Sequence, residues 1–433
     1  MVYRSSRGLV ALQAATQQNP NRGRPGGPRS GTLATTTPTT LRPQQGDHLE
    51  PAQILANARA LRPTLASRSA EIEELRRLPA DLVEQLLKAG FFRMNMPGEW
   101  GGPEMTSMQQ VEVIEEVSRG DASVGWCIMI GCDAGLYSSW LEDEVARVMY
   151  PRLDMVQAGW VYPMGRADRT ADGYLVNGDW LFGSGCTHCD WLAAGVVVHE
   201  NDKPVISENG MPEWRIVLAP RDEYEILDTW YTTGLRGTGS NDYRCCDLLV
   251  PSERSFSFME PARREGTLYR SNETFLRKMS GVPLGLGRAA IDHVSESVQG
   301  RVAFPSGVAY RDVPRVQAAV ARAEMKLGAA RSWVYGSLAE LWDVYERGDQ
   351  PSVAQRSAVW LSRLNAFQSA RDCTRLMYDT LGGGAVYTKR SPLDRALRDA
   401  ESACQHLMGQ TKSLEDAGAL LLGSEATMQH PML

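Results

Sequence analysis

Between residues 50 and 149 apolar side chains recur every three to four positions, the spacing of helices that keep one face in a core. In 78–90, Pro79 opens a helix, Leu82, Val83, Leu86 and Leu87 share one face, and Gly90 supplies the stop. Val111, Val113, Ile114 and Val117 predict a second helix ending at Gly120. A third starts at Asp121-Ala122-Ser123 and carries Trp126, Cys127, Met129 and Ile130. It is apolar on nearly every side, so burial against a ligand or a neighbouring subunit is expected. From 155 to 258 the period changes. Short apolar runs (174–176, 191–198, 214–218) alternate with Gly, Asp, Asn and Pro, the pattern of consecutive strands joined by turns, and an antiparallel barrel or sandwich is expected. After 271 the helical period returns in 313–346, 353–381 and 393–422. Three long amphipathic segments predict a bundle whose outer apolar stripe is buried in an oligomer. The order is α, β, α, an α+β chain without internal repeats. It divides into 1–46, an N-terminal α-helical domain over 47–152, a central β domain over 153–260 and a C-terminal helical bundle over 261–433.

Composition narrows the function classes. With 43% hydrophobic and 23% charged residues, 433 residues can bury a large core. A net charge of -6 gives no basic face for nucleic acid, and no apolar run approaches the roughly 18 residues of a membrane span. Residues 1–46 contain Arg4, Arg7, Arg22, Arg24, Arg29 and Arg42 but no acid. That composition resembles a transit peptide, but its Gly/Pro-rich middle breaks an amphipathic helix, so a disordered tail is expected. The eight cysteines are scattered from Cys127 to Cys404, which points to a reducing compartment, the cytoplasm. Cys186-Thr187-His188-Cys189 lacks the second ligand pair that zinc requires, so no metal is expected. His188 and His293 read as packing or surface residues.

Several motifs fall in one order. Leu87-Lys88-Ala89-Gly90-Phe91-Phe92 precedes Met96-Pro97-Gly98-Glu99-Trp100-Gly101-Gly102. Gly178-Asp179-Trp180-Leu181-Phe182-Gly183-Ser184-Gly185 leads to Cys189 and Trp191, and Gly234-Leu235-Arg236-Gly237-Thr238-Gly239-Ser240 precedes a strand ending at Val250-Pro251. Together, from about 52 to 423, they resemble the acyl-CoA dehydrogenase superfamily. The resemblance implies a flavin, FAD or FMN. It places Phe182 beside the isoalloxazine, the Ser184 hydroxyl at the flavin, and Trp160 and Val161 on a strand running past it. The glycine-rich turn at 234–240 has no strand-to-helix context, so it reads as a tight turn rather than a phosphate loop. Arg301 with Phe304 resembles the element whose arginine meets the cofactor diphosphate across a subunit boundary, although Pro305 stands where the family has glycine. Leu381 to Tyr387, with Gly383 and Gly384, resembles the glycine turn that approaches the neighbour's cofactor, which implies a homotetramer.

The dehydrogenases of this superfamily need a carboxylate base. Their Glu-Gly-Thr element is absent from 395–409, where His406 follows Arg398-Asp399, and the alternative base position falls at about Phe275, with Glu273 close by. The Arg-Asp…His ending resembles the two-component monooxygenase branch. There a separate reductase supplies reduced flavin, and O2 gives a C4a-hydroperoxyflavin that oxygenates a small apolar or aromatic substrate. His406 then becomes the acid/base group, its ordinary pKa being near neutrality, and Ser184 steadies the flavin. Ser123 and Trp126 match a motif of that branch, but Cys132 and Asp133 stand where it carries a further histidine. Trp126 and Asp133 are therefore assigned to the substrate. The competing reading is a flavin dehydrogenase or oxidase of acyl thioesters with Glu273 or Asp133 as base.

Overall fold

The computed structural model describes residues 49–424 apart from Asn209, and the expectation for 1–46 lies outside them. Ten longer helices frame the chain. α1 (Pro51–Leu75), α2 (Ala80–Lys88), α3 (Ser107–Gly120), α4 (Ala122–Gly131) and α5 (Asp143–Met149) precede the strands. After them come α6 (Gly281–Ser297), α7 (Pro314–Glu346), α8 (Val353–Leu381), α9 (Leu393–Ala403) and α10 (Lys412–Leu421). Local chemistry sets several ends. Asp121 caps α4 by accepting the Val124 N–H, Gly90 takes φ +85° after α2, and Ser352 with Gln355 forms a capping box on α8.

The strands β1 (Gln157–Thr170), β2 (Gly173–Gly183), β3 (Trp191–Glu200), β4 (Lys203–Pro204), β5 (Trp214–Pro220), β6 (Glu225–Leu227), β7 (Asn241–Val250) and β8 (Ser255–Phe256) lie in one eight-stranded sheet. The path β6-β7-β2-β1-β3-β5-β8, with β4 on β3, has no described pairing that joins its ends, so a closed barrel is not what forms. Nor is it wholly antiparallel, because β1 and β3 run parallel. β2 occupies the antiparallel edge of β1, leaving β3 the other edge, and alternation along a strand cannot report that order.

Two irregularities matter for function. Between Trp160↔Ala194 and Gly165↔Val196 the β1–β3 register shifts, and residues 161–164 bulge from the ladder. Between Trp180↔Tyr243 and Gly183↔Asn241 β2 gains a residue, where Phe182 has φ +57°, a left-handed conformation costly for an aromatic side chain. The expected single helix over 393–422 is broken. After Ala403 the chain makes a 3₁₀ turn over Leu407–Gly409, and α10 starts only at Lys412. His406 has extended backbone there, and its own ring accepts the Met408 N–H, which ends the helical ladder. One continuous buried cluster joins helices before the sheet (Ile54, Val117, Ile128), the sheet (Val176, Leu192) and helices after it (Trp360, Phe367).

Candidate active site

Both bulges open onto a cavity of about 590 Å3, within the range of ligand pockets. Trp160 and Val161 from β1, Phe182 and Ser184 from the end of β2, Trp126 and Asp133 from α4 and its extension, and His406 from the broken helix all line it. Seven residues assigned from the sequence thus meet on one wall system. Arg301, Gly383 and Gly384 do not line it. Arg301 lies instead against Gly384, where an added Cβ would come within 2.5 Å of its guanidinium.

Ser184 is held on two sides. Trp126 Nε1 donates to its Oγ at 3.1 Å, and Oγ lies 2.7 Å from Ser240 Oγ. The ring of Phe182 stands 5.4 Å from that of Trp160 and 6.1 Å, edge-on, from Trp230. Trp160 Nε1 is buried and has no hydrogen-bond acceptor among the described residues, an orphan donor on the cavity wall. Residues 230–235 form a further wall. Their backbone is pinned to α9: Asp399 accepts the Leu235 N–H at 2.6 Å, and Arg398 donates to the Thr233 carbonyl at 2.8 Å.

His406 touches Trp126 edge-on at 5.4 Å. Its Nδ1 accepts the Met408 N–H at 3.2 Å, so the neutral ring carries its proton on Nε2, which has no partner among the described residues. Burial lowers its pKa to about 4, with the charge of Arg363 acting in the same direction. The expected titrating acid/base is therefore a neutral donor across the physiological range. Asp133 is paired with Lys278, which also donates to the Phe275 carbonyl at 3.1 Å, and Asn95 Nδ2 lies 3.4 Å from Asp133 Oδ1. Among the described residues no donor bonds Asp133 Oδ2. Burial raises the pKa of Asp133 to about 6 against the pull of Lys278.

Of the two carboxylates named for a dehydrogenase, Asp133 lines the cavity and Glu273 does not. Phe275 lines the cavity, stacked 5.0 Å from Phe258, whereas Glu273 is buried against Arg277 at 3.4 Å and does not reach the wall. Lys278 escaped the sequence reading because 145 positions separate it from Asp133. Thr238 and Ser240 were legible only as turn residues of the 234–240 motif. His188, read as a packing or surface residue, is half-buried, its ring 6.3 Å from that of Phe92 and its two ring nitrogens without a hydrogen-bond partner among the described residues. Cys186 and Cys189 are buried free thiols.

A flavin fits this wall, since an orphan indole N–H, a held hydroxyl and two clustered aromatic rings suit a planar heterocycle with carbonyl edges. The comparisons agree. Residues 52–152 match the family model described as acyl-CoA dehydrogenase, N-terminal domain, and residues 278–411 the one described as acyl-CoA dehydrogenase, C-terminal domain. Together these cover more than half of the sequence, and the chain belongs to the acyl-CoA dehydrogenase superfamily, in its flavin-dependent monooxygenase branch. It is similar to the indole-3-acetate monooxygenase of Pseudomonas putida, 29% identical over 87% of this chain and 96% of that protein. It is also 28% identical to the flavin-dependent monooxygenase oxygenase subunit HsaA of Rhodococcus jostii, over 80% of this chain and 92% of the relative. The crystal structure of 3-HSA hydroxylase from Rhodococcus sp. RHA1 superposes with a TM-score of 0.80 at 26% identity, covering 88% of this chain and 99% of the other. Among the described residues no helix is long and apolar enough to cross a membrane.

Proposed function

We propose that this chain is the oxygenase of a two-component system, taking reduced flavin from a separate reductase and inserting one atom of O2 into an aromatic substrate. When bound, reduced flavin supplies the two electrons that activate oxygen. The observation that carries the reading is a donor and an acceptor on the cavity wall, each without a protein partner among the described residues. A phenylalanine stands at the position of a thioester base, and the donor is His406 Nε2–H and the acceptor Asp133 Oδ2. Such a pair suits a ring bearing an O–H or N–H. Asp133 holds that group and receives its proton as the ring gives electrons to oxygen, while His406 directs a hydrogen bond to an oxygen atom. Trp126, Trp160, Val161 and Phe182 exclude water from the reacting centre. The names of the relatives, which act on indole-3-acetate or are oxygenase subunits, support an aromatic substrate and a reductase partner.

Arg301, Gly383 and Gly384 are assigned to the diphosphate of a cofactor held by a second copy, in a homotetramer located in the cytoplasm. Exposed Val302, Phe304, Val386 and Tyr387 beside them support that assembly. The test is anaerobic reduction of the flavin-loaded protein, then mixing with 18O2 and a panel of phenols and indoles. Incorporation of one labelled atom into a ring is expected. Bleaching of bound flavin by an acyl-CoA, with no labelled product, would overturn the proposal.

A further inference from the structure

The turn at 234–240 carries a hydrogen-bond chain that the flavin motif alone does not explain. Thr238 Oγ1 lies 2.7 Å from the Leu235 carbonyl, and a carbonyl can only accept, so Thr238 is the donor there. Its single proton spent, Thr238 must accept from Ser240 Oγ, 2.7 Å away. Ser240, its proton likewise spent, must accept from Ser184 Oγ, also at 2.7 Å. The chain therefore runs one way: Ser184 to Ser240 to Thr238 to the Leu235 carbonyl. Trp126 Nε1–H donates into Ser184 from the other side at 3.1 Å. All three hydroxyl residues are buried and line the cavity. The Ser184 oxygen is left with one lone pair and no proton for whatever occupies the cavity.

We infer that this relay makes Ser184 an obligate acceptor and so selects the reduced flavin over the oxidised one, with Ser240 and Thr238 as positioning residues for redox state. The inference rests on the flavin reading of the cavity. Where the Ser184 hydroxyl meets flavin N5, reduction turns that atom from a lone-pair acceptor into an N–H donor, whereas the ring carbonyls accept in both forms. An oxidised ring meets lone pair against lone pair unless Ser184 breaks its bond to Ser240. That rupture would orphan a buried hydroxyl acceptor and unsettle the two bonds beyond it. A reduced ring completes the chain at no such cost. For an oxygenase fed by diffusing flavin, this admits the form that reacts with oxygen and lets the spent form leave.

The test compares dissociation constants of oxidised and dithionite-reduced FMN and FAD, the reduced forms titrated anaerobically, in wild type, Ser240→Ala, Thr238→Val and Thr238→Ser. Wild type should bind reduced flavin at least tenfold more tightly than oxidised, which for a two-electron couple raises the bound potential by about 30 mV per decade. Ser240→Ala and Thr238→Val free the Ser184 proton to face the cavity, and the ratio should fall tenfold or more, mainly by tighter binding of the oxidised form. Thr238→Ser should keep it. A merely structural defect weakens both redox forms together and leaves the ratio unmoved, and that outcome in both variants would overturn the relay. Equal affinities in wild type would overturn it too. Failure of wild type to bind either redox form would instead sink the flavin reading itself.

Discussion

Which nitrogen of His406 carries the proton decides what the residue can do. With Nδ1 occupied by the Met408 N–H, protonating the ring would break that bond, and burial already lowers the pKa to about 4. The side chain is thus a donor, for which an amide of suitable length can substitute. His406→Gln should keep a measurable fraction of product formation, while His406→Ala should lose about 10²–10³ in kcat, the cost typical of removing one preorganised donor, with oxygen diverted to hydrogen peroxide. Comparable losses in the two variants would refute the donor role. The pH dependence should come from Asp133. Its pKa, raised to about 6, makes it a proton acceptor only above that value, so kcat/KM should climb as pH rises through about 6. The inflection should survive in His406→Gln and vanish in Asp133→Asn. Lys278, Asn95, Cys132, Tyr137 and Tyr150 surround that carboxylate, and only Lys278 brings a countercharge. Lys278 illustrates what sequence could not supply. Its burial and its partner are consequences of tertiary packing, and no spacing rule joins positions so far apart.

At the scale of elements, α9 does two jobs. Its end delivers His406, and its Arg398 and Asp399 clamp the 230–235 wall, where an added Cβ on Gly234 would come within 2.1 Å of the Arg398 carbonyl. Asp399 works at a disadvantage. Burial first, then the charge of Asp121, raises its pKa to about 7. A carboxyl whose folded pKa exceeds its unfolded value stabilises the fold below the unfolded pKa and loses that contribution as pH rises through the folded one. Asn at this position still accepts the Leu235 N–H but cannot ionise. Asp399→Asn should therefore unfold at higher urea than wild type at pH 8, by on the order of 1–3 kcal/mol, and no higher at pH 4. Equal midpoints at pH 8 would contradict the assigned burial. The helices were legible because periodicity and caps are local: the expected 353–381 is α8, and 313–346 differs from α7 by one residue. The break at His406 was not, because a ring that caps its own turn looks like any polar residue inside a helix. The parallel β1–β3 pairing escaped for a related reason, since strand order is settled by contacts between distant segments.

For the whole molecule, the unresolved link is between the cavity and Arg301. Within one chain Arg301 is exposed, has no carboxylate partner among the described residues, and rests on Gly384 away from the cavity wall. An unpaired guanidinium beside a glycine turn and exposed apolar side chains is suited to a phosphate and a second protein surface at once. FMN ends in one phosphate close to its ring, whereas FAD extends through a diphosphate to adenosine, so the two cofactors probe different reaches. If Arg301 serves the diphosphate of a neighbour's cofactor, Arg301→Ala should weaken FAD binding tenfold or more, leave FMN binding within about twofold, and lessen the salt sensitivity of FAD binding alone. Equilibrium titration of both flavins, with light scattering on the same samples, separates the causes. A variant whose scattering matches wild type yet loses FAD selectively identifies a phosphate contact. One that loses FAD only together with a fall in scattering mass makes Arg301 an assembly residue, and unchanged FAD affinity at unchanged mass would remove Arg301 from the cofactor site altogether.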